Sequence, residues 1–327
     1  MPFVALVVFE GFHSRYSVSK QIRETLSWKG ILMDVRNLTG SIVALVTPFA
    51  EDGSVDYAAL DNLVDFHLNN GTDAILVLGT TGESSTMTYE EDLTVAKRVV
   101  ERVAGRIPVI GGAGSNATAE SLAKARDLEK IGCDGLLLIT PYYNKSNEEG
   151  IYRHFTTVLD AVDLPAILYN IPGRTGCQIS IRNVERLAAH PNVMGIKEAS
   201  GNIAYATEVA RFVGPNFRMY SGNDDMIVPL LSLGGSGVIS VWANVAPRTV
   251  HDLVASWMEG RPADSLAIQL EGLELVHSLF CEVNPIPVKA ALAMMGMICE
   301  QYRLPLTPMA SANRGRLEVA MKAAGLI

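Results

Sequence analysis

The residue in this chain with the most to explain is a lysine inside an apolar run. Lys197 lies in Val193-Met194-Gly195-Ile196-Lys197-Glu198-Ala199 and shares one face of that run with Gly195 and Ala199 if the segment is a strand. The small neighbours leave space around it. An ammonium in a protein interior is expensive, and the usual response is a lowered pKa. The neutral amine that results is a nucleophile able to form a Schiff base with a carbonyl substrate. The plainer alternative is a strand-end lysine that snorkels to water or pairs with Glu198.

Other polar residues stand where neighbouring strands would end. Tyr169, in Leu168-Tyr169-Asn170-Ile171-Pro172-Gly173-Arg174-Thr175, could move protons to and from a lysine adduct, or be a core aromatic with a satisfied hydroxyl. Arg174, just beyond it in a Pro-Gly turn, offers a rigid fork for a carboxylate, or a solvated loop charge. Leu78-Gly79-Thr80-Thr81-Gly82-Glu83-Ser84 brings two hydroxyls and flexible backbone to one turn, suited to holding a carboxylate or relaying a proton. No Gly-Lys-Ser or Gly-Lys-Thr follows, so this is no phosphate-binding P-loop. Tyr142 and Tyr143, after Thr140-Pro141, add two more hydroxyls, or form a stacked structural or interface pair.

Placing these groups around one site is the work of regular elements. Short apolar, β-branched runs recur at 41–49, 73–80, 108–114, 135–143, 165–171, 193–200, 217–223 and 237–244. Each has the length of a strand buried on both faces. Helical patterns lie between them. Over 88–104, Thr88 and Glu91 form a capping box, with Leu93, Ala96, Val100 and Val103 as the apolar stripe. Over 118–131 the stripe is Leu122, Ala125, Leu128 and Ile131. Helices stop at Asn70-Gly71, Ala104-Gly105 and Ile131-Gly132, where glycine tolerates the left-handed conformation that ends a helix.

Eight strands with intervening helices predict an α/β fold, a (β/α)8 barrel (TIM barrel) over 40–245, with right-handed crossovers. An open doubly wound sheet is the alternative, but its usual GxGxxG after the first strand is replaced by Val46-Thr47-Pro48-Phe49. Residues 246–327 read as a C-terminal helical region packed on the barrel, with stripes over 253–258, 266–280 and 288–297. Residues 1–39 read as an extension outside the core fold, with Met33 the natural initiator. The apolar run 3–9 within them has no basic residue before it, Glu10 closing it and no clear cleavage site after, which speaks against a secretory signal.

Composition narrows the function classes. Hydrophobic residues are 48% and charged residues 19% of the 327, enough apolar side chain to exclude a disordered chain. A net charge of −8 argues against nucleic acid as the main partner, while a local basic site for a small acid stays possible. Cys133, Cys177, Cys281 and Cys299 are far apart with no CxxC pair, which excludes a disulfide framework or zinc knuckle and fits a reducing cytoplasm. The scattered histidines have neither HxH nor HExxH spacing, so no metal site is expected. No run is long enough to cross a membrane.

Together, the motifs at 79–84, 140–144, 169–176 and 195–199, with Asn284-Pro285-Ile286-Pro287-Val288-Lys289, resemble the 4-hydroxy-tetrahydrodipicolinate (dihydrodipicolinate) synthase family of pyruvate-dependent Schiff-base lyases. The resemblance spans about 40–327. It implies that Lys197 forms the imine with pyruvate, whose carboxylate rests on Thr80, Thr81 and nearby amides. The derived enamine would then add to aspartate semialdehyde, held through its carboxylate by Arg174. Tyr169 would be the general acid/base, with Thr80 and Tyr143 completing a proton relay. Tyr143 would reach into a neighbouring subunit's site, within a homotetramer built as a dimer of tight dimers. Gly222 and Ile239 would shape the pocket through backbone carbonyls. The imine is its own electron sink, so neither metal nor organic cofactor is called for.

The resemblance also implies a lysine effector site at Ser84, Asn116, Glu120 and Tyr142. Tyr89 and Asp92 depart from the histidines of inhibited bacterial members, which argues against feedback inhibition. Rivals within the superfamily are N-acetylneuraminate lyase, 2-keto-3-deoxy sugar-acid aldolases or dehydratases, and hydratase-aldolases. All would keep Lys197 and Tyr169. Gly173-Arg174 speaks against the sialic acid branch. A barrel kept only for binding or regulation would have been expected to lose one of Lys197, Tyr169, Thr80 or Arg174.

Overall fold

The structure is a computed structural model and describes residues 35–327. Eight parallel strands close into a barrel in sequence order: β1 (Gly40–Ala44), β2 (Ala74–Val77), β3 (Val109–Gly112), β4 (Gly135–Ile139), β5 (Ala166–Asn170), β6 (Val193–Glu198), β7 (Arg218–Ser221) and β8 (Gly237–Ser240). Closure is through β1 and β8, with Ile42 opposite Ile239. The helices between the strands are α1 (Tyr57–Asn69), α2 (Tyr89–Val103), α3 (Thr118–Ile131), α4 (Glu148–Leu159), α5 (Ile181–Ala188), α6 (Ile203–Ala210) and α7 (Ile227–Ser232). Then come α8 (Pro247–Met258), α9 (Pro262–Glu271), α10 (Leu273–Leu279), α11 (Ile286–Met294) and α12 (Ser311–Ala323). The (β/α)8 barrel expected from the helix-strand cadence is the fold observed. Among the described residues no helix is long and apolar enough to cross a membrane.

All eight expected strands form, and most end earlier than their apolar runs do. The run after β1 continues through Leu45, whose amide still donates to the Leu76 carbonyl of β2 at 2.9 Å, to Val46 and Phe49, which are buried in the loop outside the sheet. Helix caps match their residues more closely. Thr88 accepts from the Glu91 amide while the Glu91 carboxylate accepts from the Thr88 amide. Gly132 ends α3 in the left-handed conformation, at φ 98°.

Two stripes are rotated from expectation. On α2 the fully buried apolar face is Val95, Ala96, Val99 and Val103, with Leu93 and Val100 only partly covered; on α3 Leu122 and Ile131 are partly covered. The expected continuous stripe over 266–280 is two helices. The chain breaks at Gly272, where a Cβ would lie 2.3 Å from the Trp242 ring. Helix α8 packs on β1 and β8 and so supplies the eighth outer helix, ahead of the remaining C-terminal helices.

The core has two layers. Ile42, Leu76, Ile110, Leu137, Ile167, Met194, Tyr220 and Ile239 fill the barrel, and a larger cluster lies between strands and helices. Val35 and Leu38 join the inner layer, and the Tyr220 hydroxyl donates to the Leu38 carbonyl at 2.8 Å. That closes the N-terminal end of the barrel and leaves the other end for chemistry, as this fold generally does. Residues 1–34, which hold most of the expected extension and the Met33 start, lie outside the described residues.

Candidate active site

Lys197 and Tyr169 occupy the same level on adjacent strands. Parallel pairing sets Tyr169 of β5 against Lys197 of β6, and Lys197 against Tyr220 of β7. The Lys197 ammonium nitrogen lies 4.3 Å from the centre of the Tyr169 ring, and both side chains are buried. Burial pulls the Lys197 pKa down to about 7; Arg174 pushes the same way and Asp224 opposes it. Burial likewise holds the Tyr169 hydroxyl above its ordinary range, with Arg174 opposing. The lysine neither snorkels nor pairs with Glu198, whose carboxylate instead accepts from Asn170, at 2.8 Å, and from Ser200. An amine poised near neutrality inside a barrel is equipped for imine chemistry.

Space for that amine comes from Gly222; Gly195, expected to leave room for it, faces the β7 backbone instead, where a Cβ would lie 2.2 Å from the Arg218 carbonyl oxygen. A Cβ at Gly222 would lie 3.0 Å from Lys197 Cε and 2.5 Å from the Ala199 methyl. Two residues further on, Asp224 is a buried carboxylate that composition and spacing did not single out. Its Oδ2 accepts from the amides of Val241 and Trp242 at 3.0 and 2.9 Å, and burial raises its pKa. A sequence signal existed in an acid two residues past a strand-end glycine, but its burial depends on the fold of the following loop. Ile239 is buried in the inner layer on β8.

The turn after β2 forms a short 3-10 helix over Thr80–Gly82, with Thr80 exposed and Thr81 buried. Thr81 Oγ1 accepts from the Asn284 side chain at 2.9 Å. Arg174 follows β5 on the single helical turn Pro172–Thr175, and its guanidinium donates to the Asn284 carbonyl at 3.1 Å. Thr81 and Arg174, 93 residues apart in sequence, are thus joined through one asparagine. Asn284 lies in the segment 284–289 that carries the family resemblance, but its bridging role depends on partners 203 and 110 residues away and has no local signal.

Tyr143 stands apart, 90% exposed and at φ 69°, unusual for a tyrosine. Among the described residues no hydrogen bond joins the hydroxyls of Thr80, Tyr169 and Tyr143. Within one chain the expected relay is therefore not assembled.

The four expected effector residues lie on neighbouring loops and helix starts. Ser84 donates to Asp92, and Lys124 donates to both. The Asn116 carbonyl accepts from Asn144, beside Tyr142, while Glu120 accepts from Ser115. Tyr89 donates to Asp127 at 2.9 Å.

A barrel with a near-neutral lysine and a tyrosine at one level, and an arginine past the strand ends, defines a class equipped for Schiff-base lyase chemistry. The Dihydrodipicolinate synthetase family model matches residues 37–324. The chain is 50% identical over 288 residues to the 4-hydroxy-tetrahydrodipicolinate synthase of Alkaliphilus oremlandii, covering 88% of this chain and 99% of the relative. It is 50% identical over 290 residues to the enzyme of that name from Pseudomonas aeruginosa, covering 89% and 99%. The crystal structure of dihydrodipicolinate synthase from Aquifex aeolicus superposes with a TM-score of 0.86 at 45% identity, covering 88% of this chain and 99% of that one. The chain belongs to the dihydrodipicolinate synthetase family, and is a lyase of that family.

Proposed function

We propose that the chain acts as a 4-hydroxy-tetrahydrodipicolinate synthase, condensing pyruvate with aspartate 4-semialdehyde through a Schiff base on Lys197. The supporting observation is the buried Lys197 amine, its pKa near 7, beside Tyr169. The amine adds to the pyruvate ketone, and loss of water gives the imine. Loss of a methyl proton converts it to an enamine, whose carbon attacks the aldehyde of the second substrate. Transimination by the substrate's own amine and ring closure release the cyclic product and free Lys197. Tyr169 serves as general acid/base in these proton transfers.

Thr80, Thr81 and nearby amides receive the pyruvate carboxylate, and Arg174 receives that of the semialdehyde. Gly222 and Ile239 border the pocket. The exposed Tyr143 completes the relay in a neighbouring subunit's site, so the working unit is at least a dimer, within a homotetramer. Widely spaced cysteines with no CxxC pair and a diaminopimelate and lysine biosynthetic role fit the cytoplasm. Free lysine is a poor inhibitor on this reading, because Asp92 and Ser84 at the matching site already engage Lys124.

The deciding experiment is a coupled assay with pyruvate and aspartate semialdehyde, run beside cleavage of N-acetylneuraminate and 2-keto-3-deoxygluconate. Turnover of the first pair alone is expected. Preference for either sugar acid would refute the substrate assignment while leaving imine chemistry intact.

A further inference from the structure

A buried ion pair next to the site has no part in the chemistry described so far. Lys289 on α11 and Glu83 in the turn after β2 are 0% and 1% exposed, with Nζ 2.5 Å from Oε1. The ammonium also lies 4.2 Å from the Phe49 ring centre and 5.4 Å from that of Tyr302. Replacing such a pair by apolar side chains is often neutral or stabilising, so stability is a weak account of its presence.

Its location gives a better account. Glu83 ends the Thr80–Gly82 turn at φ 54°, a conformation that a glutamate seldom adopts unless its surroundings impose it. The turn is tied on one side by Thr47, whose hydroxyl donates to the Gly82 carbonyl at 2.7 Å. On the other side it is tied by Lys289. Two residues before α11, Asn284 bonds Thr81 with its side chain and Arg174 with its carbonyl. The start of α11 is itself fixed by the Tyr302 hydroxyl, which donates to the Ile286 carbonyl at 3.0 Å.

We propose that Glu83, Lys289 and Asn284 are a positioning device: the ion pair clamps the turn after β2 to α11, and Asn284 yokes Thr81 to Arg174. The two carboxylate-binding arms are thereby held at a fixed separation. These are positioning residues, and the inference rests on the assignment of Thr81 and Arg174 to the two substrate carboxylates.

The Lys289→Met chain leaves Glu83 buried without its ion-pair partner and is expected to be poorly folded. The informative variant is Glu83→Gln with Lys289→Met, which removes both charges. It is expected to fold, judged by circular dichroism and an unchanged oligomeric state. Its KM for both substrates should rise about tenfold, with kcat falling by no more than about threefold, because alignment of bound carboxylates is lost and the amine is not. Borohydride should still trap pyruvate on Lys197 at saturating pyruvate.

Asn284→Ala tests the yoke without touching the ion pair, and both KM values should rise together. Wild-type KM values in the folded double variant, or in Asn284→Ala should the double variant not fold, overturn the proposal. So does a rise confined to one substrate in Asn284→Ala. Failure of the functional reading looks different: the wild-type protein itself would trap no pyruvate, or would turn over a sugar acid in preference to aspartate semialdehyde.

Discussion

Lys197 carries a stability cost together with its reactivity, and both follow from one cause. With burial lowering its pKa from 10.5 to about 7, the unfolded chain binds a proton that the folded chain releases between those values. The penalty is in full force below pH 7 and is relieved as pH rises towards 10.5. Lys197→Met should therefore raise the melting temperature at pH 7, and the difference should shrink as pH approaches 10.5, as thermal melts across that window would show. For activity the sign is opposite. Only the neutral amine attacks, so kcat/KM for pyruvate should fall about tenfold per pH unit below a midpoint near 7. A flat profile from pH 5.5 to 8.5 would refute an amine held near neutrality. Arg174→Ala separates the two half-reactions. Borohydride trapping of pyruvate should persist, while kcat/KM for the semialdehyde falls on the order of a hundredfold, the value of roughly 2–3 kcal/mol for a lost charged hydrogen bond.

At the level of elements, what could be read in the sequence was set by how local its cause is. Capping at Thr88 and Glu91, and the helix stop at Gly132, depend on a few adjacent residues, and both stand where those residues indicate. Strand order and barrel closure followed from the repeated strand-helix unit. Lys197, Tyr169 and Arg174 stood out because they interrupt apolar or turn patterns at strand ends. Strand ends were less legible, since Val46 and Phe49 are apolar for burial under a loop, not for pairing in a sheet. The break at Gly272 depends on Trp242, and the Glu83–Lys289 pair on residues about two hundred positions apart, contacts that no local pattern encodes. Gly222 shows how an element edge governs the site. Gly222→Ala would place a methyl 3.0 Å from Lys197 Cε and 2.5 Å from that of Ala199, so borohydride trapping should be slowed even where the variant folds. Wild-type trapping kinetics would mean that the space beside Lys197 is not limiting.

Over the whole molecule, the exposed Tyr143 distinguishes a site complete in one chain from a site completed by a second copy. A tyrosine 90% exposed at φ 69° has little local reason to be held so, and backbone strain of this kind persists where surroundings enforce it for use. On the proposed assembly, Lys197→Ala and Tyr143→Ala chains are each defective but for different reasons. Co-expressed, they form mixed dimers in which one site receives an intact Lys197 from its own chain and an intact Tyr143 from its neighbour. Random pairing in equal amounts makes half of the dimers mixed with one good site each, so activity should recover to about one quarter of wild type. If Tyr143 served its own chain, no pairing could unite the two intact residues and the mixture would stay as inactive as its parts. Coupled turnover of the purified mixed protein against each parent measures the difference, with mass spectrometry of the intact assemblies confirming that mixed dimers are present.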